Sequence, residues 1–209
     1  MNEFVEIPAN TISVSGRKRV YVKGINDVDY QTNPTVNGRQ VVCLFYIKWK
    51  NMLKRCYDDK TQARQPAYIG ATVCEEWLTF SVFKAWMSKQ SWEGMELDKD
   101  IITPNNKMYS PETCCFVPQT LNTLLTDNGA VRGDYPQGVS FDKSKGKYVA
   151  RCRRSGKSKF LGRFNTPEAA SLAYRKYKAN LVSEIAFEQT DERIEHGLML
   201  HAALILKGE

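Results

Sequence analysis

The chain has 209 residues and a formal net charge of +7, with 42% hydrophobic and 25% charged residues. That length suits one or two domains, and that balance of apolar and charged residues excludes a globally disordered chain. The longest apolar run, Val41 to Ile47, is too short to span a membrane, and the start Met1-Asn2-Glu3-Phe4 lacks a signal-peptide layout. A cytoplasmic protein with no membrane partner is expected.

In chain order, residues 12–22 predict a short hairpin turning at Gly16, with Ile12, Val14, Val20 and Val22 as strand residues. Residues 27–40 are rich in turn formers and read as a loop. Trp49, Met52, Leu53 and Cys56 then recur at helical spacing, with Lys48, Lys50, Asn51, Lys54 and Arg55 facing outward. Pro66 to Gly70 interrupts, and a second helix from about Glu75 places Trp77, Phe80, Phe83 and Met87 on one side, as core anchors. From Leu97 to Leu125 the pattern is strand, turn, strand and helix: LDKDII, Pro104-Asn105-Asn106, TCCFV, then QTLNTLL opened by Pro118. Residues 126–136 read as a linker. GVSFD, KYVARCRR and KFLGRF predict three strands, separated by Ser144-Lys145-Gly146 and Ser155-Gly156-Lys157. In the middle strand Val149, Arg151 and Arg153 point away from Tyr148, Ala150 and Cys152. Thr166-Pro167-Glu168 supplies a cap, a first-turn proline and an early acid for a helix. The tail ends in LMLHAALIL, which predicts a helix docked on the body and a surface for a homodimer.

The charge is not spread evenly. Between Gln137 and Lys178, twelve basic residues face only Asp142 and Glu168, a net +10, so the rest of the chain carries −3. A solvated surface ordinarily mixes both signs, and a one-signed segment points to a polyanion, nucleic acid above all. The six cysteines form no C-x-x-C pair and match no zinc-finger spacing, so they read as core thiols.

The pieces GV, GKYVARCR, FLGRF and TPEAASLAY make residues 137–186 resemble the plant ethylene-response-factor (Apetala-type) DNA-binding domain. That resemblance implies three antiparallel strands packed on one helix, with the sheet entering the major groove of double-stranded DNA. It puts Lys147, Arg151, Arg153, Lys159, Phe160 and Arg163 at the DNA. Gln137 and Arg151 depart from the family pattern, so the plant target sequence does not transfer.

WKNMLKRCY, YIGATVCEEW, ELDKDI, NKMYSPETCCFVP and Asn122 make residues 41–125 similar to phage-encoded HNH endonucleases, of the homing-endonuclease kind. This implies an α+β chain: an N-terminal hairpin and loop (1–40), an HNH-like domain (41–125) with its ββα unit at 97–125, a linker, the DNA-binding domain, and a C-terminal helical tail (187–209). It implies a hydrolase that nicks or cuts duplex DNA with Mg or Mn, Asp98 and Asn122 being the metal ligands, in the host cytoplasm. The only histidines are His196 and His201, both in the tail. Lys99 therefore stands where the catalytic histidine belongs, with Asp100 as the substitute base, and Thr113 takes the middle-asparagine position. Alternation would turn Asp100 to the side of Asp98, away from Lys99. A DNA-binding protein that keeps the scaffold without the chemistry is the alternative.

Overall fold

A computed structural model describes residues 4–126, 134–154 and 156–208. The architecture is mixed α+β, with seven α-helices among the described residues. No helix among them is long and apolar enough to cross a membrane. The chain divides into two compact units, Met1–Asp100 with Asn105–Phe116, and Ile101–Pro104 with Val117–Glu209.

The first unit opens on α1 (Thr11–Ser15), which replaces the hairpin expected over residues 12–22. The Asn10 side chain accepts the Ser13 N–H at 2.7 Å, a cap that selects a helical turn. Val20 bridges Gly24 instead, a pairing outside the expected hairpin. The hairpin lies further on, inside the segment read as loop: β1 (Thr35–Val36) pairs antiparallel with β2 (Arg39–Gln40). Asn37 and Gly38 sit between them at φ 51° and 73°, the positive-φ pair of a tight hairpin turn.

The core is built on α2 (Leu44–Tyr57), which buries Trp49, Met52, Leu53 and Cys56, as their helical spacing predicts. Asp58 then caps α3 (Asp59–Arg64), its carboxylate accepting the Thr61 N–H at 2.9 Å and hydroxyl at 2.6 Å. Pro66–Tyr68 forms a turn of 3₁₀ helix, followed by β3 (Thr72–Val73). The helix expected from Glu75 is split. Glu76–Leu78 is a 3₁₀ turn, Thr79 is extended, and α4 runs Phe80–Met87. The break serves hydrogen bonding, because Ile25 bonds both flanks: its N–H to Leu78 O at 2.8 Å and its O to Phe80 N–H at 2.9 Å. Trp77, Phe80, Phe83 and Met87 are all buried, and the Trp49 indole donates to Trp77 O at 2.7 Å. Satisfying the indole lets this aromatic layer stay dry. The remaining strands are β4 (Glu96–Asp98), β5 (Met108–Tyr109), parallel to β3, and β6 (Cys115–Val117), paired with β4.

In the second unit, α5 (Gln119–Leu125) follows Pro118, which takes the cap position rather than the first helical one. The expected linker, 126–136, lies mostly outside the described residues, as does Ser155 of the second expected turn. The three strands follow the sequence pattern: β7 (Val139–Asp142), β8 (Lys147–Arg154) and β9 (Lys157–Phe164), an antiparallel sheet in that order. Next, α6 (Pro167–Phe187) is capped by Thr166, whose hydroxyl accepts the Ala169 N–H at 3.2 Å. Cys152 of β8 and Tyr174 and Leu181 of α6 form a buried cluster joining sheet to helix. Last, α7 (Glu192–Lys207) buries Ile194, Gly197, Leu198 and Ala202, while Met199, Leu200 and Leu206 remain exposed.

Candidate nucleic-acid interface

Side chains on a strand alternate, so the partners of Ala150 and Cys152, both buried, share the α6 side of the sheet, and the partners of Arg151 and Arg153 share the outer side. The register decides which residues those are. Ala150 pairs with Gly162, but Arg151 pairs with Phe160, leaving Leu161 as an extra residue in β9. This β-bulge shifts everything before it by one. Phe160 is thereby turned outward beside Arg151, and Lys159, opposite Cys152, is turned toward the helix. Without the bulge the two would exchange faces.

The contacts agree with this register. Lys159 Nζ lies 4.8 Å from the centre of the Tyr177 ring, and Arg154, of inward parity, pairs with Glu184 of α6 at 2.9 Å. On the outer side, the Arg163 guanidinium stands 5.2 Å from the Phe160 ring and 3.6 Å from the Asp142 carboxylate. Lys147 Nζ donates to the Asn165 side chain. The outer face thus collects Lys147, Arg151, Arg153 and Arg163 around a Phe160 that is 48% exposed. Asp142 is the acid of this face. It is held below the usual carboxylate range by the Ser144 hydroxyl, with Arg163 adding to the effect. Of the six residues expected at DNA, five share this face and Lys159 lies on the other.

The residues expected at a metal are arranged differently. Strand β4 ends at Asp98, and the Asp98 carboxylate accepts the Asp100 N–H at 2.7 Å, closing a turn. Alternation therefore stops there. Lys99 is 4% exposed, and its ammonium donates to the Asp100 carboxylate at 2.5 Å and to Asn106 O at 2.8 Å. Asp100 thus faces Lys99, against the expectation that it turns away. The Asn106 amide closes the loop by donating to Lys99 O at 2.8 Å and Met108 O at 2.6 Å. Thr113 donates to Met108 O at 2.8 Å, a tie within the same loop. Asn122 sits half-buried on α5, in the second unit. Among the described residues, no group of three or more His, Cys, Asp and Glu is placed to hold a metal ion.

Five of the cysteines are buried and Cys74 is half-buried against the core; none of the six forms a disulfide, and burial pushes Cys56 up to about 12 and Cys74 up to about 11, so both are protonated near neutrality. One feature has no counterpart in the sequence pattern, a cavity in the first unit walled by Lys54, Arg55 and Arg64. The signal for it was weak: these residues read as an ordinary outward face, and α3 brings Arg64 against them.

No protein-family model matches the chain, and searches of curated proteins and of solved structures find no match either.

Proposed function

We propose that this chain binds double-stranded DNA through the outer face of β7, β8 and β9. The observation that carries the reading is the sheet register, in which alternation puts Lys147, Arg151, Arg153 and Arg163 on one face and the bulge at Leu161 adds a half-exposed Phe160 to them. A twisted ribbon of two or three strands fits the major groove, roughly 12 Å wide. Arg151 and Arg153, in the middle strand, suit bidentate contacts to guanine edges. Lys147, the first residue of β8, and Arg163, on the edge strand β9, suit phosphates, which supply affinity and its salt dependence. The likeness to the ethylene-response-factor domain points the same way.

Fluorescence anisotropy with a panel of duplexes tests this. Arg151→Ala or Arg153→Ala is expected to cost about 1–3 kcal/mol of binding and to relax sequence preference. Lys159→Gln, on the opposite face, is expected to cost much less. Unchanged affinity and salt slope in both arginine variants would remove the sheet from the interface.

A second reading, a phage HNH-type DNA endonuclease, is favoured by the order of β4, its partner β6 and the following α5, with Asp98 at the strand end. The resemblance assigns Mg or Mn to Asp98 and Asn122. Both offer oxygen, as a hard cation requires, and such an ion would stabilise the leaving oxygen of a phosphodiester. Lys99 does not fit the role of base, since its Nζ donates both of its hydrogen bonds and is ion-paired to the other candidate, Asp100. The alternative within this reading is a DNA-binding protein that retains the scaffold alone. Plasmid nicking with Mg or Mn that is abolished in Asp98→Ala would establish the enzyme; equal nicking by wild type and variant, or none, would leave the scaffold.

A further inference from the structure

Within the first unit, the second half of α2, the end of α3 and the 3₁₀ turn form an open cavity of about 420 Å³. Lys54, Arg55 and Arg64 line it together with Asn51, Gln65 and Tyr68, and no carboxylate is in the lining. Three cations converging on one concavity repel one another, so their arrangement favours an anion between them. The α2 C-terminus accounts for part of this, because Lys54 and Arg55 lie in its last turn and complement the helix dipole. Arg64 comes from the last turn of a different helix, α3, where its Nε donates to Lys60 O at 3.1 Å, so two helix C-termini bring their cations to one concavity.

The neighbouring acids are committed elsewhere. Asp58 spends its carboxylate on Thr61 and caps α3, so it offsets Lys54 and Arg64 only from outside the lining. Glu96, near Arg55, is paired with Lys48 at 3.2 Å. Arg55 is fixed in place: its guanidinium lies 5.5 Å from the Tyr68 ring centre and one N–H reaches Leu97 O at 3.4 Å. Burial opposes its charge, but Tyr109, Tyr68 and Glu96 outweigh burial and keep it cationic.

We infer that this cavity binds the phosphate ester of a nucleotide. Arginine forks match phosphate oxygens, and a preset guanidinium loses little freedom in doing so. The volume falls in the range of small-molecule sites, yet the lining is polar where such sites are ordinarily apolar, which selects a small charged ligand. A bare phosphate leaves most of the space unfilled, whereas a nucleoside phosphate also reaches the Asn51 and Gln65 amides, which donate and accept as base edges do. A free nucleotide carries the phosphate as a monoester and a DNA strand carries it as a diester, and both present anionic phosphate oxygens attached to a nucleoside. The inference is independent of DNA binding by the sheet.

Calorimetric titration of the full chain with thymidine monophosphate, thymidine, inorganic phosphate and single-stranded oligothymidylate tests it. Lys54→Gln combined with Arg64→Gln is expected to weaken nucleotide binding about tenfold or more, as loss of charge-assisted hydrogen bonds does. Arg64 is exposed and Lys54 half-buried, so the melting temperature should hold. Thymidine, lacking the ester, should not bind there. Arg151→Ala combined with Arg153→Ala should leave mononucleotide binding intact, which separates this site from the sheet. Saturable binding of the mononucleotide identifies a free nucleotide as ligand. A cavity effect seen only with oligothymidylate, in the sheet-variant background, identifies a strand. The inference fails if the cavity variant binds every probe as the wild type does, if no probe binds, or if thymidine binds as well as its phosphate.

Discussion

Gly138 and Gly146 both adopt positive φ, 76° and 58°, but their surroundings differ. A Cβ on Gly138 would stand 2.1 Å from a Tyr174 ring carbon, whereas one on Gly146 meets nothing within 4 Å. Gly138→Ala therefore combines backbone strain with a collision against a largely buried tyrosine of α6, and Gly146→Ala has the strain alone. Chemical denaturation is expected to show about 1 kcal/mol lost for Gly146→Ala and roughly 3 kcal/mol or more for Gly138→Ala. Equal losses would mean that Tyr174 swings aside without cost. The difference is invisible in the sequence, where Gly138 opens a strand and Gly146 sits in a turn, and neither pattern names the side chain that a Cβ would meet. The same limit hid the turn after Asp98. That a carboxylate would accept its neighbour's N–H and end the strand there depends on one rotamer, not on a pattern of residues.

Among the elements, those fixed by local signals follow the sequence and those decided by tertiary contacts do not. Thr166, Pro167 and the spacing behind them specify the start of α6 with no outside help. Ile12 and Val14 are an exception: over so short a stretch they fit a strand period or a single helical turn equally, and a local signal, the Asn10 cap, decides for helix. The face of β9 depends on one inserted residue, Leu161, whose bulge only pairing with β8 reveals. That is why Lys159, equally basic, belongs to the other face. α7 carries its own test of tertiary control. Gly197 packs so closely on the Ile101–Pro104 segment that a Cβ would lie 2.1 Å from Ile101 O. In an isolated helix Gly→Ala stabilises by about 1 kcal/mol. Here Gly197→Ala is expected to destabilise by about 1–3 kcal/mol in urea melts, because the obstacle is backbone and cannot rotate away. A gain in stability would show that α7 is free to shift.

At the scale of the whole molecule, the two units should respond differently to alkali. In the first, burial raises the thiols of Cys43, Cys56, Cys74 and Cys114, along with Tyr109. A group that ionises to an anion and is raised on folding binds more protons folded than unfolded. Its contribution is complete below the ordinary thiol value of 9.0 and is lost as pH climbs through the raised value, about 11 for Cys74 and about 12 for Cys56. Each such thiol steepens the fall by up to about 1.4 kcal/mol per pH unit. In the second unit Cys152 acts in this direction, but Lys178 opposes it. Burial lowers Lys178 from 10.5, so the folded state gains stability as pH rises toward that value. All four tryptophans, Trp49, Trp77, Trp86 and Trp92, belong to the first unit, so their fluorescence reports its unfolding selectively. Between pH 9.0 and about 11, the denaturation midpoint followed by tryptophan fluorescence should fall more steeply than the midpoint followed by circular dichroism, to which α6 and α7, the two longest helices, contribute strongly. Cys56→Ala should flatten the first curve, and Lys178→Met should steepen the second. Parallel curves, or a first curve unmoved by Cys56→Ala, would show that the thiols do not govern the alkaline limit of the fold.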